Sequence, residues 1–153
     1  MQKIEHILVA TDLSEMSQEA VKTAASLASK FGASLTLLHV FDPAPFVPPA
    51  AIPNPARFEE KIAKELEEAV DQGLANLVAK LLPDFPEDRL SVASIRHPSA
   101  AQGIVDFAAE QEADLLIVGT HGRTGLRHLL IGSVAEKVVR HSPCAVLTVR
   151  PAD

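Results

Sequence analysis

The chain has 153 residues, a net charge of −6, 47% hydrophobic and 22% charged residues, no Trp, no Tyr and six Phe. A chain of that length buries roughly 70% of its unfolded surface, so a single domain over residues 1–153, with an aliphatic, Ala-rich core, is expected without disulfides or structural metal. The acidic balance excludes general nucleic-acid binding and attraction to anionic membranes, and no apolar run approaches the roughly 20 residues that span a bilayer. The opening MQKIEHILVATD lacks the long apolar core of a signal peptide, and the one cysteine permits no internal disulfide. Both point to a cytoplasmic location.

In chain order, residues 4–10 (IEHILVA) read as a buried strand, punctuated by Thr11, Asp12 and Ser14. From Ser14 to Phe31 apolar residues recur every three or four positions, at Ala20, Val21, Ala24, Leu27, Ala28 and Phe31. This is the stripe of a helix with one core face, and Gly32 suits its C-cap. Residues 34–41 (SLTLLHVF) form a second strand. The six prolines of residues 43–55 rule out helix or central strand there and predict an extended loop that could serve as a lid. Helical spacing resumes over 57–82, with Glu60/Lys64 and Lys61/Glu65 on the solvated face. Residues 90–96 alternate as a strand, and Pro98 suits the first turn of a third helix that buries Ile104, Phe107 and Ala108. Residues 114–118 (DLLIV) read as a strand buried on both faces, Ser133 to His141 as a short helix and 144–149 (CAVLTV) as a last strand. Strands alternate with helices throughout. That order predicts an α/β fold: an open, doubly wound, parallel five-stranded sheet with helices on both faces.

In such sheets ligands bind beyond the carboxyl ends of the strands, where the strand order reverses. The fourth strand is followed by GTHGRTGLRHLLIGS, with Gly119, Gly122 and Gly125 free of side chains that would obstruct a ligand. Gly132 and Ser133 then open a helix, whose unpaired N–H groups and positive dipole end make an anion site. Ser133 and Glu136 also match the S-x-x-E capping box, a role compatible with phosphate binding at the same helix end. From Gly119 to His141, Arg123, Arg127, Lys137 and Arg140 stand against Glu136 alone, so the segment is +3 within an acidic chain. There is no Walker A lysine and no G-x-G-x-x-G fingerprint, which favours holding a nucleotide over rapid hydrolysis. Asp12, at the end of the first strand, suits ribose hydroxyls or a metal ion rather than phosphate, unless it merely caps the first helix.

Three motifs carry a family resemblance: A-T-D-x-S (Ala10 to Ser14), L-L-H-V (Leu37 to Val40) and G-x2-G-x9-G-[S/T] (Gly119, Gly122, Gly132, Ser133). On these the chain resembles the ATP-binding branch of the universal stress protein family over essentially its full length. The resemblance implies the strand order 3-2-1-4-5, which sets Asp12 and Gly119 on one crevice. It implies that Asp12, next to Thr11, contacts ribose and that the backbone at Val40 contacts adenine. The phosphates of ATP, with Mg²⁺, would lie against Gly119, His121, Gly122, Arg123, Gly132, Ser133 and Val134. It further implies a homodimer through the last strand, Ala145 to Val149. One departure is His97, where relatives often carry Gly before the proline of the third helix.

No zinc motif accompanies the six histidines, so no resident metal site is expected. His39 reads as packed and hydrogen-bonded, and Cys144 as a small core thiol. Ser133 is not a nucleophile, because the G-x-S-x-G elbow is absent. The expected function is a nucleotide-binding regulatory module, without catalytic residues, that responds to stress by nucleotide-dependent conformational change. The rivals are a slow ATPase or adenylyl-transferring enzyme of related fold, and an interaction module that has lost its nucleotide.

Overall fold

The run HILVA forms β1, His6–Ala10, with Ile7, Leu8 and Val9 wholly buried. An uninterrupted apolar run demands cover on both faces, which a parallel sheet between two helical layers supplies. The protein is described by a computed structural model that covers residues 3–46, 53–121 and 131–152. Its other strands are β2 (Ser34–Phe41), β3 (Leu90–Arg96), β4 (Leu115–Gly119) and β5 (Ala145–Val149). All pair in parallel in the order β3-β2-β1-β4-β5, as expected. The helices are α1 (Gln18–Phe31), α2 (Pro55–Leu81), α3 (Ala100–Glu110) and α4 (Ser133–His141). Among the described residues no helix is long and apolar enough to cross a membrane.

Side chains of a strand alternate between faces, so the sheet divides its apolar residues into two cores. Ile7, Val9, Leu35, Leu37 and Ile117 pack with Val21 and Ala24 of α1 and Leu74 and Leu77 of α2. Leu8, Leu38, Leu116 and Val118 pack on the opposite side with Ile104 and Ala108 of α3 and Ala135 and Val138 of α4. Successive strands run outward from β1 to β3, and the chain then crosses back to β4 and β5. The reversal lies between β1 and β4, so a crevice opens at their carboxyl ends.

Several boundaries differ from the sequence expectation for local reasons. The first helix is preceded by a 3-10 turn, Glu15–Ser17, because the Asp12 carboxylate captures the N–H and hydroxyl of Ser14. Such a side-chain turn competes with helix formation. Phe31 ends α1 and is 49% exposed rather than in the core, whereas Gly32 takes the left-handed C-cap conformation (φ 68°). The proline-rich stretch is not wholly extended: Ala44–Phe46 make a 3-10 turn, and Pro55 is the first residue of α2. Asn54 caps it by accepting from the Arg57 N–H at 3.4 Å. A proline at that position gives up only an N–H that has no helical partner. Pro98 precedes α3 instead of entering it, because Ser99 is the cap and accepts from the Gln102 N–H. Across α2, Glu59 and Glu60 pair with Arg96 of β3.

At the base of the sheet, the Asp114 carboxylate accepts from the backbone N–H groups of Glu5 (2.8 Å) and His6 (2.9 Å). These bonds hold its carboxyl below the ordinary value of 3.8. The stabilisation is fully present above that value and is lost as pH falls through the lower folded-state value. Urea midpoints should therefore drop on acidification through this range, and Asp114→Asn should flatten that part of the profile. A variant profile parallel to that of the wild type would contradict the assignment.

Candidate functional site

β1 delivers Thr11 and Asp12 to the crevice. The Thr11 N–H donates to the Leu38 carbonyl at 2.9 Å, which carries the β1–β2 pairing one residue past the strand. The Ser17 hydroxyl donates to the Ser14 carbonyl (2.9 Å), so the 2.8 Å contact between Thr11 and Ser17 has Thr11 as donor. Thr11 Oγ1 in turn accepts from the Leu13 N–H at 3.1 Å. Asp12 Oδ1 accepts from the Ser14 N–H at 2.9 Å. The acidic side chain is thus held by its own turn against the cavity, although Asp12 precedes a 3-10 turn and does not cap α1.

β2 supplies the adjoining wall. His39 is buried and its Nδ1–H donates to the Thr11 carbonyl at 2.8 Å, which assigns the proton to Nδ1 because a carbonyl can only accept. His39 is packed and hydrogen-bonded, as expected, and also lines the cavity. Val40 comes next, and α3 presses against it closely: a Cβ on Gly103 would stand 3.0 Å from Val40 Cγ1 and 3.0 Å from His97 Cβ. His97 stands behind that contact. Its N–H donates to the Phe41 carbonyl, its Nδ1 accepts from the Ser99 N–H at 2.9 Å, and its Nε2 lies 4.0 Å from Asp106. His97 therefore holds the turn that leads into α3, and it is absent from the cavity lining.

β4 and α4 close the site. The Thr120 N–H donates to the Val149 carbonyl, and the Thr120 carbonyl accepts from the Gly132 N–H at 2.6 Å, which ties the residue after β4 to the N-cap of α4. His121 Nδ1 lies 2.8 Å from the Thr120 hydroxyl. Two sequence readings change here. Gly119 is not a left-handed residue, and a Cβ there would meet its nearest neighbour at 3.5 Å, an ordinary contact. Gly132 is the confined glycine, since its Cβ would lie 3.0 Å from the Thr120 carbonyl oxygen. Gly132, not Ser133, is the N-cap of α4, and among the described residues no side chain caps the helix. The capping box does not form, because the Glu136 carboxylate pairs with Arg140 at 2.8 Å on the solvent side. The first-turn N–H groups of α4, those of Ser133 and Val134 included, have no partner within the helix.

These walls enclose a cavity of about 320 Å³. Thr11, Asp12 and Val40 line it from one side, and Gly119, His121, Gly132, Ser133 and Val134 from the other. Gly122 and Arg123, also expected at the site, lie outside the described residues, as do Gly125, Arg127 and His128. Leu38, Ile104 and Val118 make an apolar floor that the sequence reading did not single out. Their signal lay in the topology, because β2, β4 and α3 are brought together only by the strand order. Ser17 was missed as well, being read as part of α1. Among the described residues no group of three His, Cys, Asp or Glu side chains is placed to hold a metal ion. The basic character of the segment is also less focused than its composition implies, since Arg140 is already paired.

The site and its frame can be set beside known proteins. Residues 3–150 match the universal stress protein family. Universal stress protein MJ0531 of Methanocaldococcus jannaschii is 34% identical over 144 residues, which are 94% of this chain and 81% of the relative. The structure of hypothetical protein MJ0577 superposes with a TM-score of 0.79 at 26% identity, covering 99% of each chain. A universal stress protein solved in complex with cAMP gives a TM-score of 0.61 at 26% identity, covering 99% of this chain and 100% of that one. With a match along nearly its whole length and the five parallel strands in the order reported above, the chain belongs to the universal stress protein family.

Proposed function

We propose that the cavity between β1 and β4 binds an adenine nucleotide, with ATP and Mg²⁺ as the cellular ligand, and that occupancy switches a stress-response module. The observation that carries this reading is the first turn of α4, which no described side chain caps and which opens onto a cavity that Asp12 also lines. The N–H groups of Ser133 and Val134 donate to phosphate oxygens where the helix dipole favours negative charge. Gly119, His121, Gly122, Arg123 and Gly132 complete the phosphate side. Asp12 accepts from ribose hydroxyls, Thr11 holds the turn, and the Val40 backbone meets the adenine edge over the apolar floor. The relative solved with cAMP binds a ligand of the same class.

The donor set fits Mg²⁺ held chiefly through phosphates, because this ion keeps most of its waters and needs only one or two carboxylates. The metal would supply charge neutralisation between phosphate oxygens. The described lining contains no lysine or arginine, which favours holding ATP over consuming it. Nucleotide occupancy of this cavity would change the surface offered to partners. We also propose a cytoplasmic homodimer formed through β5, whose outer edge has no neighbouring strand among the described residues. Sedimentation equilibrium should then return twice the chain mass. Isothermal titration should show saturable, one-site ATP binding in the presence of Mg²⁺. Absence of heat and of thermal stabilisation at millimolar ATP would overturn the nucleotide reading.

A further inference from the structure

Three described residues other than glycine have positive φ: Leu13, Asn54 and Glu112. Two have ordinary reasons. Asn54 is a residue type that tolerates the left-handed region, and Glu112 follows the end of α3, where chains commonly turn that way. Leu13 has neither. It is a bulky residue at φ 65°, directly after Asp12, and such a conformation persists only where its surroundings enforce it.

The enforcement comes from two sides. The Leu13 N–H donates to Thr11 Oγ1, itself tied to Ser17, while the Thr11 carbonyl accepts from His39. The Leu13 side chain points the other way, into the core between the sheet and α2. There it meets Gly73 of α2: a Cβ at that position would stand 3.0 Å from Leu13 Cδ1 and 3.9 Å from Cδ2 and Cγ. A glycine within a 27-residue helix is unfavourable relative to alanine, and here it leaves a notch that Leu13 fills.

We infer that Leu13 is a positioning residue, anchored in the Gly73 notch of α2, that holds the Asp12 carboxylate toward the cavity and so sets recognition of the ribose. The inference rests on the nucleotide reading of the cavity and deepens it. With its side chain seated, Leu13 cannot relax to negative φ, and a change of φ at residue 13 would swing the turn that carries Asp12. The seat of α2 is thereby coupled to the sugar end of the site, whereas the phosphate end is built chiefly on the first turn of α4.

The test compares affinities of the full-length protein for ATP and for 2′,3′-dideoxy-ATP, which lacks both ribose hydroxyls. A charge-assisted bond to ribose gives the wild type a preference of about tenfold or more for ATP. Leu13→Ala and Gly73→Val should each reduce that preference to about threefold or less, with dideoxy-ATP affinity near the wild-type value. Leu13→Met, which can refill the notch, should retain it. Far-UV circular dichroism and thermal melts verify that each variant is folded. Gly73→Val is the more disruptive change, so Leu13→Ala decides the matter if the former does not fold. A wild-type preference kept in folded Leu13→Ala protein overturns the positioning role alone. A wild type that binds no ATP, or binds both nucleotides equally, overturns the ribose reading and the role built on it.

Discussion

Replacing Gly132 by valine should lower affinity for ATP by more than about tenfold while the sheet stays folded. The reason is local. The Gly132 N–H lies 2.6 Å from the Thr120 carbonyl oxygen, and any Cβ on residue 132 would approach that same oxygen to 3.0 Å. Valine adds two further carbons and a stiff χ1 at this point, so the start of α4 must move away from Thr120. The N–H groups that follow then lose their aim, and each bond to a charged phosphate contributes roughly 1.5–3 kcal/mol. One such bond lost accounts for about a tenfold change. Titration with ATP checks the result, with circular dichroism establishing that the fold persists. Gly119→Ala serves as a contrast in stability, because a Cβ there meets no protein atom nearer than 3.5 Å. Its thermal midpoint should stay close to that of the wild type.

Ile117→Ala should be the more damaging change to stability. Ile117 lies in β4 between β1 and β5, in register with Val9 and Leu147, and has no exposed surface. Its side chain belongs to the core shared by α1 and α2, where removed methylene groups leave a cavity that a sheet paired on both sides cannot collapse. The expected loss is about 3 kcal/mol, or roughly 6–12 °C in thermal midpoint for a chain of this size. Equilibrium urea unfolding and a thermal melt measure it. A loss below about 1 kcal/mol would show that the site relaxes in a way its burial does not indicate.

The elements most legible in the sequence are those bounded by chemistry with one meaning. β2 spans the residues expected of it because Gly32 ends α1 in a left-handed cap and the proline-rich stretch stops the strand. β3 was equally clear, lying between Pro86 and Pro98. Boundaries set by side chains reaching back to the backbone were harder to read. The Asp12 turn delays α1 to Gln18, Asn54 recruits Pro55 into α2, and Ser99 leaves Pro98 outside α3. In each case a short polar residue had two possible partners, and the choice depends on tertiary position.

The same division holds at the site. Asp12 and Gly132 were visible because a strand end and a helix start are readable, and both line the cavity. The division of labour between the glycines was not. Gly119 and Gly132 look alike in a spacing pattern, and their difference comes from the Thr120 carbonyl that folds back over one of them. Ser133 and Glu136 have the spacing of a capping box, yet Arg140, one turn further on, takes the carboxylate. The apolar floor of Leu38, Ile104 and Val118 joins three elements far apart in sequence. Local patterns do not register such a surface until the strand order is known.

The most direct test of the nucleotide site is to follow backbone amide resonances of ¹⁵N-labelled protein during titration with Mg-ATP. The account predicts saturable shifts centred on Thr11, Asp12, Val40, Gly119, Ser133 and Val134, with residues at the opposite end of the sheet, such as Glu5 and Asp114, unmoved. Shifts confined to another face of the molecule, or none at millimolar ATP, would contradict it.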